Sequence, residues 1–490
     1  MDAYSNLLAR SREISLLSNT ANVLMWDQET YLPPKALDFR SDQLAYLSGQ
    51  IHKLTTAPEV GEWIKAAEDQ GFAADSDEAA NIRRWKRTFE RETRVPTEFV
   101  ERFEKEKTLA REQWIDARKH SDFSKFQPSL ERLLGFSRQL ADFWGYENDR
   151  YDALLETYET GTSAAELKAI FDKLRPQLKA LYDKRQAQDR PKVELRGVFP
   201  ESAQAAFNAE VAGAIGYSFE TGRVDTTTHP FCTTLGPRDV RITTRYHEDV
   251  FGTSLYGVLH EAGHALYELG LPEEKFGAPC GSPISMGIHE SQSRLWENQV
   301  GRSKAFWKHW YPKAFRHFPD LANYSIDEVT AAMQSVQTSF IRVEADEMTY
   351  DFHIMLRFEL ELALIHGDLE PAGLPSAWNE LFEKSFNLKV PDDARGCLQD
   401  IHWSFGGFGY FPTYSLGNLN ASQLMAAARR EIPSLDASLE SGEYAPLLKW
   451  LREKVHRHGQ KYDPQDLMRL ATGEPTNPDH HIKYLREKYL

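Results

Sequence analysis

The chain has 490 residues, 41% hydrophobic and 27% charged, enough to bury a sizeable core and too apolar for a disordered chain. Its formal net charge of -15, with no dense Lys/Arg stripe, argues against a nucleic-acid partner. Cys232, Cys280 and Cys397 are too widely spaced for a disulfide framework or a CxxC metal site, and they point to a reducing compartment.

The first segment, MDAYSNLLARSREISLLSNT, carries Asp2, Arg10, Arg12 and Glu13 among its apolar residues and lacks the apolar run of a signal peptide. No later stretch approaches the ~20 apolar residues of a membrane span, so no membrane partner and a cytoplasmic location are expected. A helix is predicted just after Pro96, with Phe99, Phe103, Leu109 and Trp114 at near-helical intervals. Another begins at Ser163, where Glu166 three residues on completes a capping-box pattern, and Pro176 is expected to kink it. Residues 217–246 change character: Thr, Val, Ile and aromatics dominate, punctuated by Gly222, Pro230 and a Gly236-Pro237 turn, which predicts a small set of strands. Such a sheet would offer an edge to which an extended peptide could add as a strand; a hairpin that only packs is the plainer reading of those residues alone. Residues 339–367 read as one long helix, ended by Gly367 and followed by Pro371. There is no internal repeat, and the fold class predicted is mainly α.

The segment SLYGVLHEAGHALYELG (254–270) carries the chemistry. His260 and His264 lie one helical turn apart and project from one face, so both imidazoles can reach one ion at about 2.0–2.1 Å. Glu261 is offset by ~100° and can hold a water beside the ion without ligating it. A third ligand is needed. Gly270 stands where one class of zinc peptidase places a histidine, which excludes that class. Glu290, in a helical run a short loop downstream, ranks first; Glu297, His289 and Glu268 are rivals, and Glu297 reads more simply as an ion-pair carboxylate.

Around these residues stand further motifs in order: HPF at His229–Phe231, DVRITT at Asp239–Thr244, HESQSR at His289–Arg294, IRVEAD at Ile341–Asp346 and GCLQDIHW at Gly396–Trp403, with VLMWDQETYLPP upstream at Val23–Pro34. Together they resemble the carboxypeptidase Taq family over nearly the whole chain. That resemblance implies a mainly helical, elongated metallopeptidase fold with a deep central groove and a small sheet, similar to neurolysin and angiotensin-converting enzyme. It implies a single peptidase domain over 1–490, in which 1–200 covers the groove and 201–490 carries the sheet and the metal site. It also implies one divalent ion per chain, zinc first and cobalt second, a homodimer, and release of single C-terminal residues from peptides with broad specificity. By the family pattern His260, His264 and Glu290 ligate and Glu261 is the general base.

An exopeptidase must recognise a free α-carboxylate, which the planar fork of arginine suits. The resemblance points to Arg342, which Asp346 would brace one turn along the predicted helix; Arg395 is the alternative. The Gly-aromatic stretch after Asp400, with Gly406, Gly407 and Gly409, reads as a flexible or tightly turned loop. By likeness to the similar helical peptidases, Tyr410 and then His402 would donate to the oxyanion, with Tyr414 a weaker candidate. His229 is an even choice between substrate contact and structure. Asp239 and Arg241 share one face of a strand and are expected to form a structural ion pair.

Overall fold

Helices dominate because apolar positions recur at helical spacing along most of the chain, and strands are confined to residues 224–244 among the described residues. The computed structural model describes residues 2–188 and 193–490. The mainly α expectation holds, and the small sheet lies where the Thr- and Val-rich segment placed it. No helix of the described residues is long and apolar enough to cross a membrane.

The first helix, Ala3–Thr30, opens at Asp2, whose carboxylate accepts the Ser5 N–H at 2.8 Å. Leu7 joins Val60, Ile64, Ala67 and Ile82 in a small N-terminal core. Its far end lies against the sheet. The Arg241 guanidinium sits 4.4 Å from the Trp26 ring centre, Tyr31 donates to Asp225 at 2.6 Å, and Asn22 donates to the Thr234 carbonyl at 2.9 Å. Trp26 and Tyr31 belong to the VLMWDQETYLPP stretch, and Asn22 stands just before it. Arg241 also makes both of its side-chain bonds to Asp239, at 2.8 Å each, so the expected strand ion pair forms.

The sheet runs β1 (Val224–Thr226), β3 (Asp239–Thr244), β2 (Cys232–Gly236), with β3 central, parallel to β1 and antiparallel to β2. Val240 and Ile242, two apart on β3, share one face and are fully buried with Leu255, Leu259 and Leu266 of the helix Thr253–Glu268. The sheet thus backs the helix that carries His260 and His264.

Two large cores interleave the chain. One gathers side chains from 95–182, 348–419 and 482–489, the other from 199–329 and 421–471. The chain crosses between them repeatedly, so neither core is built from one continuous stretch.

The helix Ala164–Gln186 starts with the expected Ser163/Glu166 capping box and holds Pro176 in its interior. Two local expectations need correction. Leu109 is 48% exposed, and Ala110 takes the buried position beside Phe103 and Trp114. Residues 339–367 are not one helix: the helix is Tyr350–His366, preceded by a short 3-10 turn at Arg342–Glu344. The cause is Asp346, whose carboxylate accepts the N–H groups of Gln337, Met348 and Thr349 and so competes with helical bonding.

Candidate metal centre

Two helices carry the cluster. Thr253–Glu268 presents His260 and His264, and Met286–Arg294 presents Glu290. They meet at Gly263, where a Cβ would stand 2.6 Å from the Gln292 carbonyl oxygen and the Ser293 Cα; only glycine permits this approach. On the other side Gly417, in the helix Pro412–Glu431, lies against the Glu290 side chain with no room for a Cβ.

The resulting geometry is tight. Glu290 Oε2 lies 3.3 Å from His264 Nε2 and 3.5 Å from His260 Nε2, and the three ligand atoms lie within 4.8 Å of one another. Ligands about 2.0–2.1 Å from one tetrahedral ion stand about 3.3–3.4 Å apart, so the donor set fits a divalent cation. Glu290 is itself held, by Arg294 Nε on Oε1 at 2.7 Å and by the Ser293 hydroxyl on Oε2 at 3.0 Å. Burial acts against its charged form, but Arg294 and the two histidines keep its carboxyl well below the usual range.

The rivals for third ligand stand behind the histidines. Glu297 Oε2 accepts from His260 Nδ1 at 2.9 Å. His264 Nδ1 meets His289 Nδ1 at 2.5 Å, and His289 Nε2 meets Glu268 Oε1 at 2.9 Å. With both Nε2 atoms turned to the cluster, His264 Nδ1–H donates to His289, whose Nε2–H donates to Glu268; each tautomer follows from the next. Glu297 is 9% exposed and lies in a π-helical turn, Leu295–Gly301, where the Arg302 N–H donates to the Glu297 carbonyl five residues back. Tyr484 and Lys488 of the last helix both donate to the Asn298 carbonyl in that turn. Arg294, one turn past Glu290, braces that carboxylate.

Glu261 is 7% exposed, and among the described residues its carboxylate makes no hydrogen bond or ion pair. Burial pushes it up to about 7, against the pull of His260. It is a free base beside the cluster, suited to taking a proton near neutrality.

A polar-aromatic group is joined to this cluster through Arg294, which stacks on Tyr350, and Tyr350, which lies beside Tyr414. The Tyr410 ring centre lies 5.1 Å from that of His402 and 5.4 Å from that of Tyr414, and His402 Nε2 is 3.2 Å from the Tyr414 hydroxyl. Burial, then the charge of Glu290, pushes Tyr410 up to about 12, so it is a neutral donor. Burial, then Arg342, pushes His402 down to about 3, so it is neutral too. The loop is tightly held rather than flexible: buried Glu361 accepts from Tyr151, Trp403 Nε1 and the Gly409 N–H.

Arg342 joins this group but not with its expected brace. Its Nε and Nη2 both contact Asp400 Oδ1 at 2.9 Å, and its Nη1 donates to the Tyr350 hydroxyl at 2.7 Å; Asp346 is occupied as a cap. Arg357 contacts the other Asp400 oxygen, at 2.8 and 2.5 Å. Two guanidinium groups on one carboxylate leave one net positive charge, 4.7 Å from the Tyr414 ring centre at Arg342. The structure does not bring the remaining candidates into this group. His229 is exposed in the loop between β1 and β2, and Arg395 is paired to Asp392 with its side chain 52% exposed.

The family model for carboxypeptidase Taq (M32) metallopeptidases matches residues 6–489. Thermostable carboxypeptidase 1 of Thermus thermophilus is 40% identical, over 99% of this chain and 98% of that protein. Carboxypeptidase 1 of Bacillus subtilis is 36% identical, over 98% of this chain and 96% of that protein. The crystal structure of the M32 carboxypeptidase from Deinococcus radiodurans R1 superposes with a TM-score of 0.96 at 38% identity, covering 99% of this chain and 98% of that one.

Proposed function

Because the chain belongs to the carboxypeptidase Taq (M32) metallopeptidase family, and so is a metal-dependent carboxypeptidase, we propose that it releases single C-terminal amino acids from peptides with broad specificity, using Glu261 as general base. The observation that carries this reading is the His260–His264–Glu290 cluster, with an unpaired, buried Glu261 beside it. The three side chains would hold the divalent ion, zinc first and cobalt second, since this ligand set suits both. When bound, the ion supplies a Lewis acid that acidifies water and polarises the substrate carbonyl.

The chain's own groups do the rest. Glu261 takes the proton of the attacking water and returns it to the leaving nitrogen. Tyr410, then His402, donates to the carbonyl oxygen as it gains charge. The net positive charge left by Arg342 and Arg357 on Asp400 takes the α-carboxylate, with Tyr414 alongside. The substrate backbone lies along the sheet edge at β2, the edge strand packed on the ligand helix. The interleaved cores support one peptidase domain over 1–490, with 1–200 as the part that covers the groove. The same reading makes the protein a cytoplasmic homodimer acting on peptides; its three free cysteines agree with a reducing compartment.

Peptides with free and amidated C-termini test the reading. The free form should be cleaved, and efficient cleavage of the amidated form would replace the carboxypeptidase assignment with an endopeptidase one. Arg342→Ala leaves Arg357 on Asp400 as a neutral pair and should lower kcat/KM for free peptides by about 10- to 100-fold, the worth of one charged hydrogen bond, with metal content unchanged. Equal kcat/KM in the variant and the parent would remove Arg342 from carboxylate recognition. Glu297→Gln should weaken metal affinity by about 10- to 100-fold through loss of orientation at His260, read by competition with a chelator. Unchanged affinity would leave Glu297 as an ion-pair residue only.

A further inference from the structure

A cavity of about 350 Å³ opens beside the metal centre. One wall is a single face of the helix Asp77–Arg94, with Arg84, Arg87, Thr88 and Arg91 at helical spacing. Tyr158 and His289 also line it. The Tyr158 ring centre is 5.0 Å from that of Tyr410, and His289 bonds to His264 at 2.5 Å, so the cavity adjoins the reacting groups on two sides.

The three arginines are not equivalent. Arg84 is committed to Asp463 and to the Gln460 and Tyr462 carbonyls, and Arg87 to the carboxylate and carbonyl of Glu156. Arg91 has no ion pair among the described residues. Only its Nη2 is bonded, to the Ala153 carbonyl at 3.2 Å and the Thr157 hydroxyl at 3.0 Å, while its guanidinium stacks 4.0 Å over the Trp144 ring. Nε and Nη1 take no protein acceptor. Burial, then the neighbouring Arg87, lowers its pKa to about 10, against the pull of Glu156 and Glu92, which also line the cavity. Glu92 forms no ion pair with Arg91.

We propose that this cavity is a substrate subsite in which Arg91 binds an acidic side chain of the peptide, upstream of the cleaved bond. The inference rests on the carboxypeptidase reading, because only one residue then lies downstream and the cavity must receive the upstream part. At about 3.3 Å per extended residue, a cavity of this volume takes a few residues at most, so the acid is sought at the second to fourth positions before the bond.

The test uses peptides that differ only by Glu or Gln at each of these positions. The parent should prefer Glu in kcat/KM by about 10- to 100-fold at one of them. In Arg91→Gln the ratio should fall to about one, and in Arg91→Glu it should favour Lys at the same position. Thr88→Glu places a carboxylate on the same wall without removing the bonds of Arg91, and should also abolish the preference should the Arg91 variants fail to fold. A parent ratio near one at all three positions, or a ratio retained in Arg91→Gln or Thr88→Glu, overturns the subsite. Should no peptide be cleaved at all, the carboxypeptidase reading fails. Fluorescence anisotropy with labelled, amidated Glu and Gln peptides then still decides whether Arg91 selects the acid.

Discussion

Glu261→Gln is expected to lower kcat by about 10²- to 10⁴-fold, the usual share of a positioned general base, while metal stays bound at one per chain. The substitution is close to isosteric, and Glu261 makes no hydrogen bond or ion pair among the described residues, so no buried partner is orphaned. The three atoms that would hold the ion belong to other residues, so affinity for it should be retained. What is lost is the proton acceptor. A carboxylate takes and returns a proton; an amide does neither. KM should change little, because Arg342, not Glu261, is the proposed anchor of the α-carboxylate. Steady-state kinetics with elemental analysis of the same preparation check both halves. A kcat within a few-fold of the parent would move the base to another group, and loss of metal would make Glu261 part of the coordination.

The juxtaposition of His260, His264 and Glu290 was legible because its spacing is local. One helical turn sets His260 and His264, and a short connection to the next helix sets Glu290. The groups behind them were legible only as names. Glu297, His289 and Glu268 were visible as titratable neighbours, but whether each faces the ion or the far ring nitrogen depends on helix rotation. At Glu297 that rotation is set by a π-turn, which leaves no pattern in hydrophobic spacing. Arg342 shows the opposite failure. A periodic stretch suggested a partner one turn away, whereas Asp346 bonds its own backbone and the true partner, Asp400, lies 58 positions downstream. Pairings across that separation are fixed by tertiary packing. Arg91 was illegible for the same reason: its lack of a carboxylate is a property of the folded surroundings.

Glu290→Ala should abolish stoichiometric metal binding, with a loss of affinity beyond the about 10- to 100-fold expected when an outer partner is removed. Two effects combine. The third ligand disappears, and Arg294 Nε loses its acceptor in a buried site. Arg294 Nη1 already stands 3.4 Å from Glu297 Oε2, so the freed guanidinium can draw Glu297 away from His260 and disorient a remaining ligand. Removing the nearer of the two carboxylates on a buried arginine also costs stability, so Tm should fall whether or not metal is present. The double substitution Glu290→Ala/Arg294→Met separates these effects. It removes the orphaned charge and should recover much of the Tm, yet it should not recover the metal. Metal titration beside thermal unfolding of both variants reads the two quantities independently. If Glu290→Ala held one ion per chain with the affinity of the parent, the third ligand would have to be sought at Glu268 or Glu297, and the roles of the groups behind the histidines would have to be reassigned with it.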